Sequence, residues 1–125
     1  MEFQKNKGQR LGRISLDMVD PIFAPSDIRT AVAPITISPS GLSCGAELYL
    51  TRDGGATKAA TSGLVSFTST GIAQSVRLPV TMPAVGGDAY EVYLDIYANG
   101  YLIVAYVATE NVIIPTGSVG PIIWE

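Results

Sequence analysis

The stretch around Asn99-Gly100 restricts the fold of this chain more than any other. Two nine-residue runs of alternating character, residues 90–98 and 101–109, flank this dipeptide. Asn-Gly between two such runs is typical of a two-residue type I′ turn, because both central residues of that turn adopt a positive φ. The sequence therefore predicts a β-hairpin here.

The turn also predicts a register for the hairpin. With two residues in the turn, Ala98 lies opposite Tyr101 and Tyr93 lies opposite Tyr106. One apolar face and one face of tyrosines and acids are typical of an antiparallel sheet that is packed on one side. The predicted apolar pairs are Ala98–Tyr101, Ile96–Ile103, Leu94–Ala105 and Val92–Val107, and the other face carries Tyr97–Leu102, Asp95–Val104, Tyr93–Tyr106 and Glu91–Ala108.

The rest of the chain continues this β pattern. Thirteen glycines and eight prolines separate short runs rich in Thr, Val, Ile and Tyr, and no run has the period of a helix. About seven short strands in some ninety residues indicate an all-β fold, most simply an immunoglobulin-like antiparallel sandwich over residues 27–114. An up-and-down barrel or a jelly roll stays open. Residues 1–26 are predicted to be an extended N-terminal arm, and residues 115–125 a C-terminal tail.

Composition argues for protein partners. Of the 125 residues, 47% are hydrophobic and 15% are charged, against ~25% charged in an ordinary globular protein. That length suits one domain with a real core. A surface so poor in charge favours burial against other subunits, so we expect an oligomer.

The N-terminal arm is basic while the rest of the chain is acidic. Residues 1–13 hold four of the eight basic residues against Glu2 alone. Such an arm either contacts an anionic partner or stays solvated. It has no dense run of Lys or Arg, so nucleic acid is not expected as the main partner.

The chain lacks the residues that most catalytic and metal sites use. It has no histidine and one cysteine, Cys44, which removes His-based triads and the usual zinc sites. Glu91 and Asp95 would lie ~13 Å apart along one strand, too far for a glycosidase pair. The segments 53–55 and 86–88 have too few oxygen ligands for a calcium loop and are predicted turns. We expect no enzyme activity, no cofactor and no metal.

Three sets of apolar or aromatic residues remain as candidate contact residues. The arm alternates apolar and polar residues, which suits strand addition to an exposed edge of a neighbouring subunit by residues 11–18. Tyrosines on the hairpin face suit either protein contact or stacking on a sugar. An apolar cluster ends the chain, where its exposure would be a liability. The candidates are Leu11, Ile14, Leu16 and Met18 in the arm, Tyr93, Tyr97 and Tyr106 on the sheet face, and Ile122, Ile123 and Trp124 in the tail.

Three segments of the chain follow a sequence pattern known from other proteins. The segments 67–74 (FTSTGIAQ), 78–83 (LPVTMP) and 90–96 (YEVYLDI) resemble bacterial immunoglobulin-like adhesion modules of the CARDB type. They are also similar to small proteins encoded among phage and provirus structural genes. The resemblance covers about residues 30–114 and implies a β-sandwich, but no catalytic or ligand residue. The acidic, Asn-rich ending of the adhesion modules is missing, with only Glu110-Asn111 in its place.

Together these observations favour a structural protein of a phage virion, such as a capsid decoration or tail accessory protein. Its expected partners are further copies of itself, a major capsid or tail protein, or both. The start of the chain has no apolar run typical of a signal peptide, and no run of ~20 apolar residues suggests a membrane span. We therefore expect synthesis in the host cytoplasm and no membrane partner. The alternative is a module that binds carbohydrate or a surface through the tyrosine face.

Overall fold

The computed structural model of the chain describes residues 20–125, and these residues form antiparallel β-sheets with no helix. The all-β prediction is confirmed. Residues 20–125 contain eight strands where the sequence indicates about seven, and two of them are very short. The strands are β1 (Ile28–Thr36), β2 (Ser43–Thr51), β3 (Ala60–Thr61), β4 (Val65–Thr68), β5 (Ala73–Thr81), β6 (Asp88–Ala98), β7 (Tyr101–Val107) and β8 (Val112–Ile114).

The strands divide into a large sheet and a small one. The large sheet has the order β3-β2-β6-β7, with β4 also paired to β2 and β8 also paired to β6. The small sheet contains only β1 and β5, paired antiparallel along their whole length. Within the described part of the chain, each of these two strands therefore has one unpaired edge. The sequence predicts that the first strand lies at an edge or carries a bulge, because Pro34 cannot donate a ladder hydrogen bond, and the pairing of the described strands gives it an edge position.

One apolar core lies between the two sheets. Along β5, Val76, Leu78 and Val80 are buried while the residues between them are exposed. They pack in one cluster with Leu48 and Leu50 of β2. The strict alternation of β5 explains this, because successive side chains of a strand point to opposite faces.

The predicted hairpin is present, but its register is correct only next to the turn. Asn99 and Gly100 both have positive φ, and Ala98 pairs with Tyr101. The register then shifts by one residue at a β-bulge between Ile96 and Tyr97. The predicted pairs beyond that point, Ile96–Ile103, Leu94–Ala105, Val92–Val107, Asp95–Val104, Tyr93–Tyr106 and Glu91–Ala108, are wrong. The observed pairs are Ile96–Val104, Asp95–Ala105, Leu94–Tyr106 and Tyr93–Val107.

The bulge changes which residues of β7 share a face. An extra residue in one strand shifts every following side chain to the other face of the sheet. Val104, opposite Ile96, therefore packs on the main core. Val107, opposite Tyr93, instead joins a second small cluster on the other face of the large sheet.

The segment that leads into β1 lies against the body. Ile22 forms a parallel bridge with Ile113 of β8. The Phe23 amide donates to the Ile113 carbonyl at 3.0 Å, and the Ile113 amide donates to the Pro21 carbonyl at 2.9 Å. Residues 20–23, which the sequence places in the arm, thus lie beside β8 through one isolated β-bridge.

Candidate interaction surfaces

The two sheets leave an open apolar groove along the side of the molecule. It has a volume of about 540 Å³ and lies between β1 and the segment around β8. Leu50 and Val80, from opposite sheets, both line it, so the opening reaches the core. We call it the lateral groove. Its lining residues are Pro21, Phe23, Arg29, Thr30, Ala31, Leu48, Leu50, Val80, Met82, Val92, Ala108, Glu110 and Val112.

The described chain begins at the mouth of this groove. The Asp20 carboxylate accepts a hydrogen bond from the Asn111 amide at 2.9 Å, which holds the start of the segment beside the start of β8. Pro21 and Phe23 point into the groove, whereas Ile22 between them is 66% exposed. The Arg29 guanidinium lies 4.7 Å from the centre of the Phe23 ring. The lead-in segment therefore builds one wall of the lateral groove.

The predicted contact residues of the arm, Leu11, Ile14, Leu16 and Met18, lie outside the described residues. The first described residue after them is Asp20, at the mouth of the groove.

The tail residues are exposed. Trp124 is 91% exposed, and Ile122 and Ile123 are nearly as open. Residues 115–125 form no strand and are exposed. The sequence predicts that these side chains dock, and among residues 20–125 they remain exposed.

The three candidate tyrosines do not form one surface. Tyr93 is only 5% exposed and lies against Tyr49, with ring centres 5.4 Å apart. Tyr97 is half-buried on the same face of β6. Tyr106 pairs with Leu94, so the bulge puts it on the core-facing side of the sheet.

A short loop explains the burial of Tyr93. The turn of residues 52–59 folds over the outer face of the large sheet, and Gly55 lies close to the Tyr93 ring. Asp53 holds the turn together, because its carboxylate accepts from the Thr51 hydroxyl at 2.7 Å and from the Thr57 amide at 2.9 Å. These hydrogen bonds lower the pKa of Asp53 to about 2. Asp53 therefore acts as a turn residue, as the sequence predicts.

Tyr49 lies at the centre of a polar cluster on this outer face. Its hydroxyl donates to the buried Asp95 carboxylate at 3.3 Å, and the Lys58 ammonium lies 4.7 Å above its ring. Burial and the neighbouring Asp95 charge raise the pKa of Tyr49 to about 12. Glu47, paired with Asp95 across the strands, forms an ion pair with Lys58 at 2.9 Å.

The ionisation of Glu47 follows from the same contacts. Its partial burial raises its pKa, but hydrogen bonds from Thr61 and Lys58 and the Lys58 charge outweigh that effect, so the net pKa is lowered. Glu47 and Tyr49 were not predicted as candidate residues from the sequence. The alternation of Glu47, Tyr49 and Thr51 along the second strand is the pattern that could have indicated them, because it places all three on one face.

A second depression lies on the outer face, beside Tyr97. It has a volume of about 410 Å³, and its lining includes Tyr97, Leu64, Glu47 and Ser66. An aromatic ring, a carboxylate and a hydroxyl thus share one small concave surface. The depression lies on the opposite side of the large sheet from the core.

The described residues contain no group of three or more Cys, His, Asp or Glu side chains placed to hold a metal ion. The single thiol, Cys44, is buried in the core. Among residues 20–125 there is also no helix long and apolar enough to cross a membrane.

Comparison with known proteins does not assign this chain to a family. No family model, no curated protein and no solved structure matches this chain.

Proposed function

We propose that this chain is a non-enzymatic structural protein of a phage virion, acting as a capsid decoration or tail accessory protein. In this proposal its body is an immunoglobulin-like sandwich. It docks on neighbouring subunits, either copies of itself or a major capsid or tail protein, through its N-terminal arm and its exposed strand edges.

The observation that carries the proposal is an unpaired strand edge beside an open apolar groove. In the described residues, β1 pairs only with β5, and its other edge borders the lateral groove. An unpaired edge presents backbone donors and acceptors to which another chain can add a strand. Apolar pockets beside that edge supply the specificity.

Exposed apolar side chains support the proposal independently. Ile28 lies exposed on β1, and the tail exposes Ile122, Ile123 and Trp124. A protein with only 15% charged residues keeps such groups in water at a cost in solubility. Burial against neighbouring subunits removes that cost.

Removal of the arm tests the proposal. We expect full-length protein to form oligomers and a variant that lacks residues 1–19 to be monomeric with unchanged circular dichroism. Light scattering measures the mass of each. A matched control replaces Arg13, Ser15 and Asp17 with alanine, which leaves the apolar row intact and is expected to assemble. Oligomers of equal mass with and without residues 1–19, or a full-length chain that stays monomeric, would contradict the proposal.

The depression beside Tyr97 supports a second candidate function, carbohydrate binding. Sugars stack on aromatic rings and hydrogen-bond to nearby carboxylates, and Tyr97 and Glu47 offer both. Tyr93, buried beneath the 52–59 turn, is not available for such a contact. A glycan array separates the candidates: binding that Tyr97→Ala abolishes and Tyr101→Ala keeps would favour a sugar-binding module.

A further inference from the structure

We infer that the lateral groove is the acceptor site for residues 11–18 of a second copy of this chain, which add as a strand beside β1. The inference rests on the proposed assembly function, and it names the surface that the arm binds. The occupant is thus a segment that lies just outside the described residues.

The groove has the shape that an added strand requires. Its β1 wall offers an unpaired backbone edge along Arg29, Thr30 and Ala31. Its interior is lined by aliphatic side chains from both sheets, including Leu50 and Val80. A strand added there gains backbone hydrogen bonds on one side and apolar burial beneath it.

The arm has the matching pattern. Ile14, Leu16 and Met18 are separated by one polar residue each, so an extended backbone would direct all three to one face. At ~3.3 Å per residue the row spans ~13 Å. A groove of about 540 Å³ lies within the ~300–1,000 Å³ of sites that enclose a small ligand, which leaves room for several side chains.

The register of residues 20–23 argues for the arm of a second copy. In this segment Pro21 and Phe23 face the groove, and Ile22 faces solvent. If residues before Asp20 continued that segment in extended form, odd-numbered residues such as Asp17 would face the groove. Leu16 and its even-numbered apolar neighbours would then face solvent. An arm from another molecule does not have its register set by this anchor, so its apolar row is free to face the groove.

A pair of matched substitutions on β1 tests the groove. In full-length protein, Ala31→Glu places a carboxylate in the lateral groove, whereas Val32→Glu places one on the exposed outer face, opposite Arg77. We expect Ala31→Glu to weaken self-association at least roughly tenfold and Val32→Glu to leave it unchanged. Sedimentation equilibrium measures both. Equal association of the two variants overturns the inference.

Cysteine cross-linking identifies the occupant without depending on those variants. One chain carries Leu16→Cys and another carries Ala31→Cys, and the two are mixed and oxidised. Cys44 stays in place because it is 6% exposed, and the unaltered chain measures its background. We expect a disulfide-linked dimer that forms several-fold faster than with Ser15→Cys, whose side chain belongs to the opposite face of the arm.

The outcomes separate the inference from the proposed function. Equal cross-linking by the two arm cysteines overturns the inference. So does a disulfide confined to one chain in a Leu16→Cys/Ala31→Cys double variant. Assembly that needs residues 1–19 without this cross-link overturns the inference and keeps the proposed function. Assembly that does not need residues 1–19 overturns both.

Discussion

Tyr49 shows how a single residue organises the outer face of the large sheet. It contacts Tyr93 through its ring, Asp95 through its hydroxyl and Lys58 through its π face. A buried carboxylate such as Asp95 is stable only where hydrogen bonds replace the water it has lost. The Tyr49 hydroxyl supplies one of these bonds. We therefore expect Tyr49 to contribute more to folding stability than the burial of its apolar area alone would.

Replacement of Tyr49 by phenylalanine tests this role. At neutral pH we expect the free energy of unfolding to fall by about 1–2 kcal/mol, because a buried charged acceptor loses one donor. Urea titration followed by circular dichroism measures the change. Tyr101→Phe, at a side chain that is 75% exposed, serves as the control and should leave the midpoint unaltered. A Tyr49→Phe chain as stable as the original would contradict the role.

The ionisation of the Tyr49 hydroxyl should make the protein less stable at alkaline pH. Burial raises the pKa of Tyr49 from 10.0 to about 12, so the folded state favours the neutral phenol more than the unfolded state does. Its contribution to stability is complete below pH 10 and is lost as the pH rises through about 12. We expect Tyr49→Phe to lose less stability over this interval than the original chain does. Parallel curves of unfolding free energy against pH would contradict the assignment.

At the scale of elements, the hairpin turn is the part where local sequence decides the structure. Gly100 has φ +83° and no neighbouring atom within 4 Å of the position of an added Cβ. Gly100→Ala should therefore destabilise only through backbone strain, by about 1–2 kcal/mol. Gly117→Ala, equally uncrowded and not in the left-handed region, is the control. A thermal-denaturation midpoint that falls in Gly100→Ala alone is the expected result.

The bulge in the same hairpin could not be read from the sequence. The turn depends only on Asn99 and Gly100, which are adjacent in the sequence. These two residues were therefore enough to predict the turn and the two strand pairs next to it. The bulge depends on contacts across three strands, because the shift sets Val107 opposite Tyr93, which in turn packs on Tyr49 of β2. Nothing near Ile103, the extra residue, signals it. The lateral groove was hidden for the same reason, since its walls come from segments distant in the chain.

At the scale of the whole molecule, two apolar features are left uncovered by the described residues. The lateral groove opens to the core on one side, and Trp124 in the tail is exposed. Both are present on every copy. In the inferred assembly the arm and the lateral groove are two different surfaces of each copy, and contacts between different surfaces are head-to-tail, so they close into rings or grow into filaments.

The tail can be tested separately from the arm. Truncation after Gly117 removes Val119, Ile122, Ile123 and Trp124, which are all exposed. Because these side chains bury almost nothing in the single chain, we expect the melting temperature of the body to stay the same. We expect the concentration needed for assembly to rise, since the truncated chain has lost the apolar groups that a neighbour would cover. Light scattering across a dilution series measures that concentration, and Trp124→Ser isolates the contribution of the largest side chain. A lower melting temperature at concentrations where the full chain is monomeric would show instead that the tail packs on its own body.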